Sequence, residues 1–438
     1  MAAARPRRRR WTSDGLLSAS EPGVPGSRPV AAGSPDPDGV GWVLLALCVS
    51  VTVSYGVLYY AFTVLAPAIS DDTGWSATAV TTAFSAGSLA GALAGISAGR
   101  VLQRHGPRPV MTGGSLLGVG AVTLVALAPS YPAFVVGWLL VGLASAGTFY
   151  PPAFAALTHW YGAGRVRAIT TLTLVAGFAS TIFAPLTAGL GEALGWRRTY
   201  LVLAVLLLAV TVPAHAWALR RPWHHREPAR PGPPDREILT SRPFLLLTAS
   251  ATLASLAMYA SLVNLVPLLL DHGIGLQVAA WALGLSGAGQ VAGRLAYPAL
   301  DHRVRPNPRA AAIIVVMGAT LAALAIVPGP ALVLVVVAVL GGAARGLFTL
   351  VGATLVSDHW GPHRYAALNG VFHAPIGIAA ALAPAFGAGI ATVTGSYAAL
   401  FGILALIALV AGGLAAIAED PTAGHGSPTD PSPSSVRA

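Results

Sequence analysis

The chain has 438 residues; 55% are hydrophobic, only 10% are charged, and the mean hydropathy is +0.69. So little charge cannot cover the surface of a soluble protein of this size, and a bilayer is the solvent that fits. The net charge of +10 raises nucleic-acid binding as a reading, which the placement of the basic residues then removes.

Residues 1–40 begin with the cluster Arg7–Arg10 and continue as polar, Pro- and Gly-rich sequence. No apolar core follows the cluster, so this segment reads as a disordered cytoplasmic tail and not as a signal peptide. About 20 apolar residues span a hydrocarbon core as a helix, at about 1.5 Å per residue. Twelve segments qualify, at roughly 42–69, 77–99, 110–128, 132–157, 168–191, 199–219, 243–270, 276–298, 309–328, 331–357, 365–393 and 397–417. None alternates as a barrel strand would. Residues 220–242, with Pro, His, Arg and acidic residues, form a polar linker. The chain therefore divides into an N-terminal six-helix bundle (41–219), a cytoplasmic linker (220–242), a C-terminal bundle (243–417) and a second disordered tail (418–438).

All 26 basic residues are Arg. They crowd into the N-tail, the loops after the even-numbered helices, the linker and the C-tail, whereas Arg197 and Arg198 alone fall on the other face. The positive-inside rule then puts both termini in the cytoplasm, as an even helix count requires. Arg without Lys, among abundant Ala, Gly and Pro, points to a GC-rich bacterial genome and hence to a plasma membrane. The single Cys48 permits neither an intramolecular disulfide nor a metal site.

The stretch from His159-Trp160 to Gly195 is written again from His359-Trp360 to Gly395, with an Ala-Pro pair in each copy (Ala184-Pro185, Ala383-Pro384). Two copies in the same direction mean two like halves around a central pathway, the architecture of a protein that moves a solute across a bilayer. Gly87, Gly91, Gly95 and Gly99 recur every fourth residue, as do Gly289 and Gly293. Small residues on one face let helix backbones approach in lipid. A dinucleotide fingerprint at Gly287-Ala-Gly289 lacks the preceding strand it would need. Pro67, Pro151, Pro152, Pro185, Pro267, Pro375 and Pro384 interrupt spanning runs and can kink them.

Six helices plus six with a basic middle loop resemble the major facilitator superfamily. Gly99-Arg-Val-Leu-Gln-Arg104-His-Gly106-Pro-Arg108 is similar to that family's loop between helices 2 and 3, with Gln103 in place of the usual Asp. The second half offers Gly293-Arg294-Leu-Ala-Tyr-Pro-Ala-Leu-Asp301-His-Arg303, where the Asp is kept. The resemblance implies an all-α membrane protein of twelve transmembrane helices in two pseudo-symmetric bundles, with Gly99, Arg104, Gly106, Arg108, Asp301 and Arg303 in gating. Within the superfamily, Asp38-Gly-Val-Gly-Trp42, Arg165-Val-Arg167-Ala168 and Gln290-x-x-x-Arg294 resemble the monocarboxylate and oxalate/formate porter group. In that group the last motif carries an acid and an Arg that binds substrate carboxylate. Here the acid is Gln290, and the Lys of mammalian helix 1 is Thr63. Both departures touch proton coupling.

A charge at mid-membrane costs about 2.5–3.5 kcal/mol on insertion scales and marks a functional candidate. Arg294, Arg345 and His373 are such residues, each with a structural alternative: snorkelling, bonding to helix-end carbonyls, or a satisfied core histidine. Gln290 shares a face with Arg294, and Asn369 one with His373. From the N-half, Tyr55, Tyr59, Tyr60, Trp138 and Tyr150 offer hydroxyls and rings, and helix 7 adds Asn264. Aromatics at span ends otherwise act as interface anchors.

The reading is a secondary transporter working by alternating access on a small organic anion, monocarboxylate-like, held by guanidinium groups. The rival is an exporter of hydrophobic or amphipathic compounds. A coupling proton, if one is used, would ride on His373. A membrane sensor would need an added soluble domain. No metalloprotease motif, nucleophile elbow or phosphate loop is written in the chain, so neither an enzyme nor a cofactor is expected.

Overall fold

A computed structural model describes residues 37–223, 236–301 and 303–418; the side chains of residues 37–40, 163, 301 and 362–367 lie outside that description. Both expected disordered tails and most of the linker fall outside it as well.

The described chain is built of helices. The long ones are α1 (Gly41–Thr73), α2 (Ala77–His105), α3 (Pro107–Leu127), α4 (Tyr131–Tyr161), α5 (Arg165–Leu194), α6 (Trp196–Ala218) and α7 (Arg242–Asp271). They continue as α8 (Leu276–Asp301), α9 (Pro306–Ile326), α10 (Ala331–Trp360), α11 (Pro362–Thr394) and α12 (Tyr397–Ile417). Eleven of these are long and apolar enough to cross a membrane. α8, diluted by Gln277, Gln290 and Arg294, falls short of that measure.

Local chemistry sets the ends. Ser76, Ser241 and Ser396 cap α2, α7 and α12 by accepting from backbone N–H groups inside the first turn. Gly106 (φ +79°) and Gly361 (φ +77°) reverse the chain in left-handed backbone, each followed by a Pro in the first turn of the next helix. Several helices run past the apolar segments read from the sequence: α2 continues to His105, α4 to Tyr161 and α10 to Trp360. Arg and His prolong a helix into the headgroup region while their charges reach water.

Interruptions concentrate in α1, α4 and α5, with a further π-helical turn at the end of α6 (Ala214–Ala218). α1 holds a π-helical turn at Gly56–Tyr60, where Gly56 lies under the ring of Phe183. α4 breaks at Phe149, before Pro151-Pro152. α5 loosens at Gly177–Phe178 and not at Pro185. Such turns rotate side chains off the regular helical stripe and are frequent at functional sites.

Within the first half α2 packs on α4 and α3 on α4 and α6; within the second, α8 packs on α10 and α9 on α10 and α12. One apolar core belongs mainly to the second half and two to the first. The bundles meet chiefly through α2 against α11 and α5 against α8. These two contacts exchange under a half-turn that swaps the bundles, so the duplication in the sequence is a pseudo-two-fold axis in the fold.

The glycine rows do unequal things. A side-chain carbon at Gly87 or Gly91 would strike the backbone of Trp138 or Gly142 on α4, whereas Gly95 and Gly99 meet nothing within 4 Å. Gly289 and Gly293 press on the backbone of Val339 and Ala343 in α10. Close backbone approach therefore explains four of the six, and the basic end of α2 stands open.

Candidate functional site

The C-terminal ends of α2, α4, α6 and α8 lie at one end of the bundle, here the basic end. At the opposite end the halves are joined by hydroxyls. Thr78 Oγ1 lies 2.8 Å from Thr392 Oγ1 and donates to the Ala388 carbonyl (3.3 Å), while the backbone N–H of Ala385 donates to Ser85 Oγ (3.0 Å). On the other seam Thr181 Oγ1 donates to the Gly284 carbonyl (2.7 Å).

Between the bundles, below this seal, lies a cavity of about 820 Å³. It reaches toward the basic end as far as Gly95 of α2 and Ile169 of α5. Among the described residues that line it there is no carboxylate, yet there are two guanidiniums, those of Arg294 and Arg345, together with Gln290. Arg294 Nη1 donates to the Thr173 carbonyl (2.9 Å), beside the loosened turn of α5, and its neighbour across the cavity is Tyr150. Arg345 is 8% exposed; its Nη2 donates to Ser286 Oγ (2.7 Å), and Tyr59, Tyr60 and Tyr259 stand around it. Ser286 and Arg294 are eight residues apart on α8, so the backbone positions that meet the two guanidiniums are roughly 12 Å apart along the axis.

The first half supplies the aromatic wall. Tyr55 stacks on Phe149 (3.9 Å between ring centroids) and tilts against Tyr150 (4.9 Å), which stacks on Phe154 (5.1 Å). Tyr59 and Tyr60 reach the cavity from the π-helical turn, and the Tyr59 hydroxyl is buried without a hydrogen-bond partner. Trp138 also lines the cavity but is mostly core: it is 2% exposed, packed against Phe62, Phe84 and Phe134.

Of the residues singled out from the sequence, Arg294, Arg345, Gln290, Tyr59, Tyr60, Tyr150 and Trp138 converge here. Three others stand apart. Asn264 is 1% exposed, donates to the Ala260 carbonyl (2.9 Å) and lines a smaller cavity of about 270 Å³ at the opposite end, with Asp71, Asp271 and Tyr397. His373 and Asn369 are outside the large cavity's lining; His373 Nδ1 lies 3.1 Å from the Asn369 carbonyl, one turn from Gly377, which does line it. Thr63 is fully buried and donates to the Tyr60 carbonyl.

Two functional-looking residues escaped the sequence reading. Tyr259 lines the cavity from α7, and the 200-residue repeat, which maps Tyr59 onto it, was the available signal. His215, fully buried in a π-helical turn of α6, has Nδ1 2.8 Å from Ser115 Oγ and 3.1 Å from the Met111 carbonyl.

At the basic end Arg108 Nε donates to the Ala216 carbonyl (3.0 Å), and Trp223 covers Gly106 while donating to the Gln103 carbonyl (3.1 Å). Gly99 is clear of neighbours, and Arg104 and Arg303 are exposed; the Asp301 side chain lies outside the description. The second half replaces the carbonyl latch with charge: Arg309 Nη2 meets Asp358 Oδ2 at 2.7 Å, with Arg309 3% exposed. The repeat puts Thr158 where Asp358 stands, so Arg108 has no carboxylate at that position.

Residues 47–338 and 311–438 match the family described as Major Facilitator Superfamily. Human monocarboxylate transporter 11 is 31% identical over 303 residues, which is 65% of this chain and 61% of that protein. Rat monocarboxylate transporter 13 is 27% identical over 396 residues, 87% of this chain and 89% of that protein. Among solved structures, an inward-facing, unoccupied bacterial homologue of the human lysosomal transporter Spinster superposes with TM-score 0.69 at 16% identity, covering 88% of this chain and 98% of its own. The nucleoside transporter NupG gives 0.68 at 15% identity over 85% of this chain and 98% of its own. At those identities the likeness is one of fold.

Proposed function

The chain belongs to the Major Facilitator Superfamily, and from that premise we propose that it carries a small organic anion, monocarboxylate-like, across a cell membrane by alternating access. The observation that carries the reading is a cavity with two guanidiniums and no carboxylate among the described residues that line it. Such a cavity holds a positive potential in a low-dielectric wall, and an anionic guest is what offsets it. Arg294 is the carboxylate ligand: it stands on the open cavity, its present bond is to a neutral carbonyl, and a guanidinium can hold a carboxylate through two parallel bonds. Gln290 and the Tyr150 hydroxyl complete the polar contacts. Arg345, deeper, supplies field, and the Tyr55, Phe149 and Phe154 rings hold the apolar part of the substrate. The relatives' names, monocarboxylate transporters 11 and 13, agree with this chemistry.

The transport cycle follows from the seal and the cavity. With the basic end in the cytoplasm by the positive-inside rule, the cavity faces inward while the Thr78, Ser85, Thr392 and Ala385 contacts close the outside. In the alternate state those bonds part and the basic end of α2 swings onto α11. The vacant faces of Gly95 and Gly99 are the surface on which that closure packs. The gate at the basic end uses Gly106, Arg108 and the loops bearing Arg104, Asp301 and Arg303.

Counterflow of labelled short monocarboxylates into liposomes loaded with the same acid tests the proposal. Uptake above that of empty liposomes, lost in Arg294→Ala, is expected. Uptake that survives Arg294→Ala together with Arg345→Ala overturns it and favours export of amphipathic compounds.

A further inference from the structure

Arg345 touches two cavities. One is the large cavity between the bundles. The other lies inside the second bundle and gives about 20 Å³ to the centre of a guest, room for one particle of atomic size. Its polar lining is Arg345, Ser261 and Thr320; Met317, Leu321 and Phe401 are among its apolar walls. Arg345 Nε is buried without a hydrogen-bond partner.

The guanidinium as a whole is under-compensated. Its one recorded bond goes to the neutral hydroxyl of Ser286, and among the described residues no carboxylate pairs with it. A buried charge is retained where it is paired and fully hydrogen-bonded. The substrate carboxylate proposed for Arg294 sits in the large cavity and does not enter the small one. The small cavity offers what is missing. Ser261 Oγ and Thr320 Oγ1 donate to the Met258 (2.9 Å) and Met317 (2.7 Å) carbonyls. Those carbonyls lie within helices, where backbone N–H groups also reach them, so either hydroxyl can turn its proton into the cavity.

We propose that the small cavity behind Arg345 binds a halide, chloride in the cell, held by the Arg345 guanidinium and the hydroxyls of Ser261 and Thr320. A water molecule there would leave the charge unopposed; a halide offsets it. The site stands on its own, whether or not Arg294 takes the substrate.

The test uses full-length protein in detergent, in gluconate buffer of fixed ionic strength, with chloride or bromide exchanged for gluconate. A saturable rise in the thermal midpoint is expected, retained in Arg294→Gln and lost in Arg345→Gln. Should Arg345→Gln fail to fold, Thr320→Val reports instead, raising the half-saturating concentration at least several-fold. Crystals grown in bromide are expected to show an anomalous peak in contact with the Arg345 guanidinium. No saturable halide effect, an effect that Arg294→Gln abolishes, or bromide located elsewhere would each overturn the site.

Discussion

The glycine row of α2 makes a test that needs no substrate. A side-chain carbon placed on Gly91 would stand 2.6 Å from the Gly142 carbonyl oxygen and 3.1 Å from its carbon. A normal C···O contact is about 3.3 Å, so α2 and α4 must separate by about 0.7 Å in Gly91→Ala. Gly87→Ala strikes the Trp138 carbonyl harder. Backbone cannot step aside as a side chain can, and overpacking of this kind costs about 1–3 kcal/mol. Gly95→Ala, one turn on along the same face, meets nothing within 4 Å and should be close to neutral. Unfolding of the purified protein in mixed micelles with increasing dodecyl sulfate, followed by tryptophan fluorescence, compares the three. The expected order of stability is Gly95→Ala, then Gly91→Ala, then Gly87→Ala. If Gly95→Ala proves as damaging as Gly87→Ala, the packing described for α2 and α4 is wrong. A bulkier Gly95→Val goes further: it should fold as well as the wild type yet lose counterflow, because it obstructs the proposed closure of α2 on α11.

The remaining predictions use bonds already described. Thr78→Val with Ser85→Ala removes three hydrogen bonds across the outer seal, each worth about 0.5–1.5 kcal/mol. Labelling of a cysteine placed at Ser145, which lines the cavity below the seal, by an impermeant thiol reagent added outside should quicken at least about 10-fold, and an unchanged rate would show that these bonds do not hold the seal. Arg309→Gln strands Asp358 beside a buried site and should cost about 3–5 kcal/mol. Arg108→Gln loses an exposed bond to a carbonyl and should cost no more than about 1.5 kcal/mol. Equal thermal midpoints for the two variants would contradict the asymmetry drawn between the halves.

Much of the architecture was legible because lipid leaves a chain few options. Twelve apolar runs, one basic linker and a 200-residue repeat suffice for two six-helix bundles. Helix ends were less legible, since hydropathy stops where Arg and His begin, whereas α2 and α10 run on to His105 and Trp360. The guanidiniums of Arg294 and Arg345 stood out because a charge inside an apolar run is costly to insert and is rarely kept without a role. Hydroxyls and rings were not so easily sorted, because facing the cavity depends on rotation about the helix. Asn264 and Tyr259 share α7 but sit five residues apart, about 140° around the helix, and only Tyr259 reaches the large cavity. The π-helical turn at Gly56–Tyr60 resets the stripe of α1, which no regular periodicity anticipates. Asp358, on the last turns of α10, gave no sign in the sequence that Arg309 would be its partner.

The central claim is that the Arg294 guanidinium receives a carboxylate. Isothermal titration of the purified protein with lactate and with lactamide, a pair differing in charge and little in shape, addresses it directly. Charged hydrogen bonds are worth about 1.5–3 kcal/mol, so the acid should bind about 10- to 100-fold more tightly than the amide, and Arg294→Gln should erase the difference. Equal affinities, or a preference for the acid that persists in Arg294→Gln, would contradict the account.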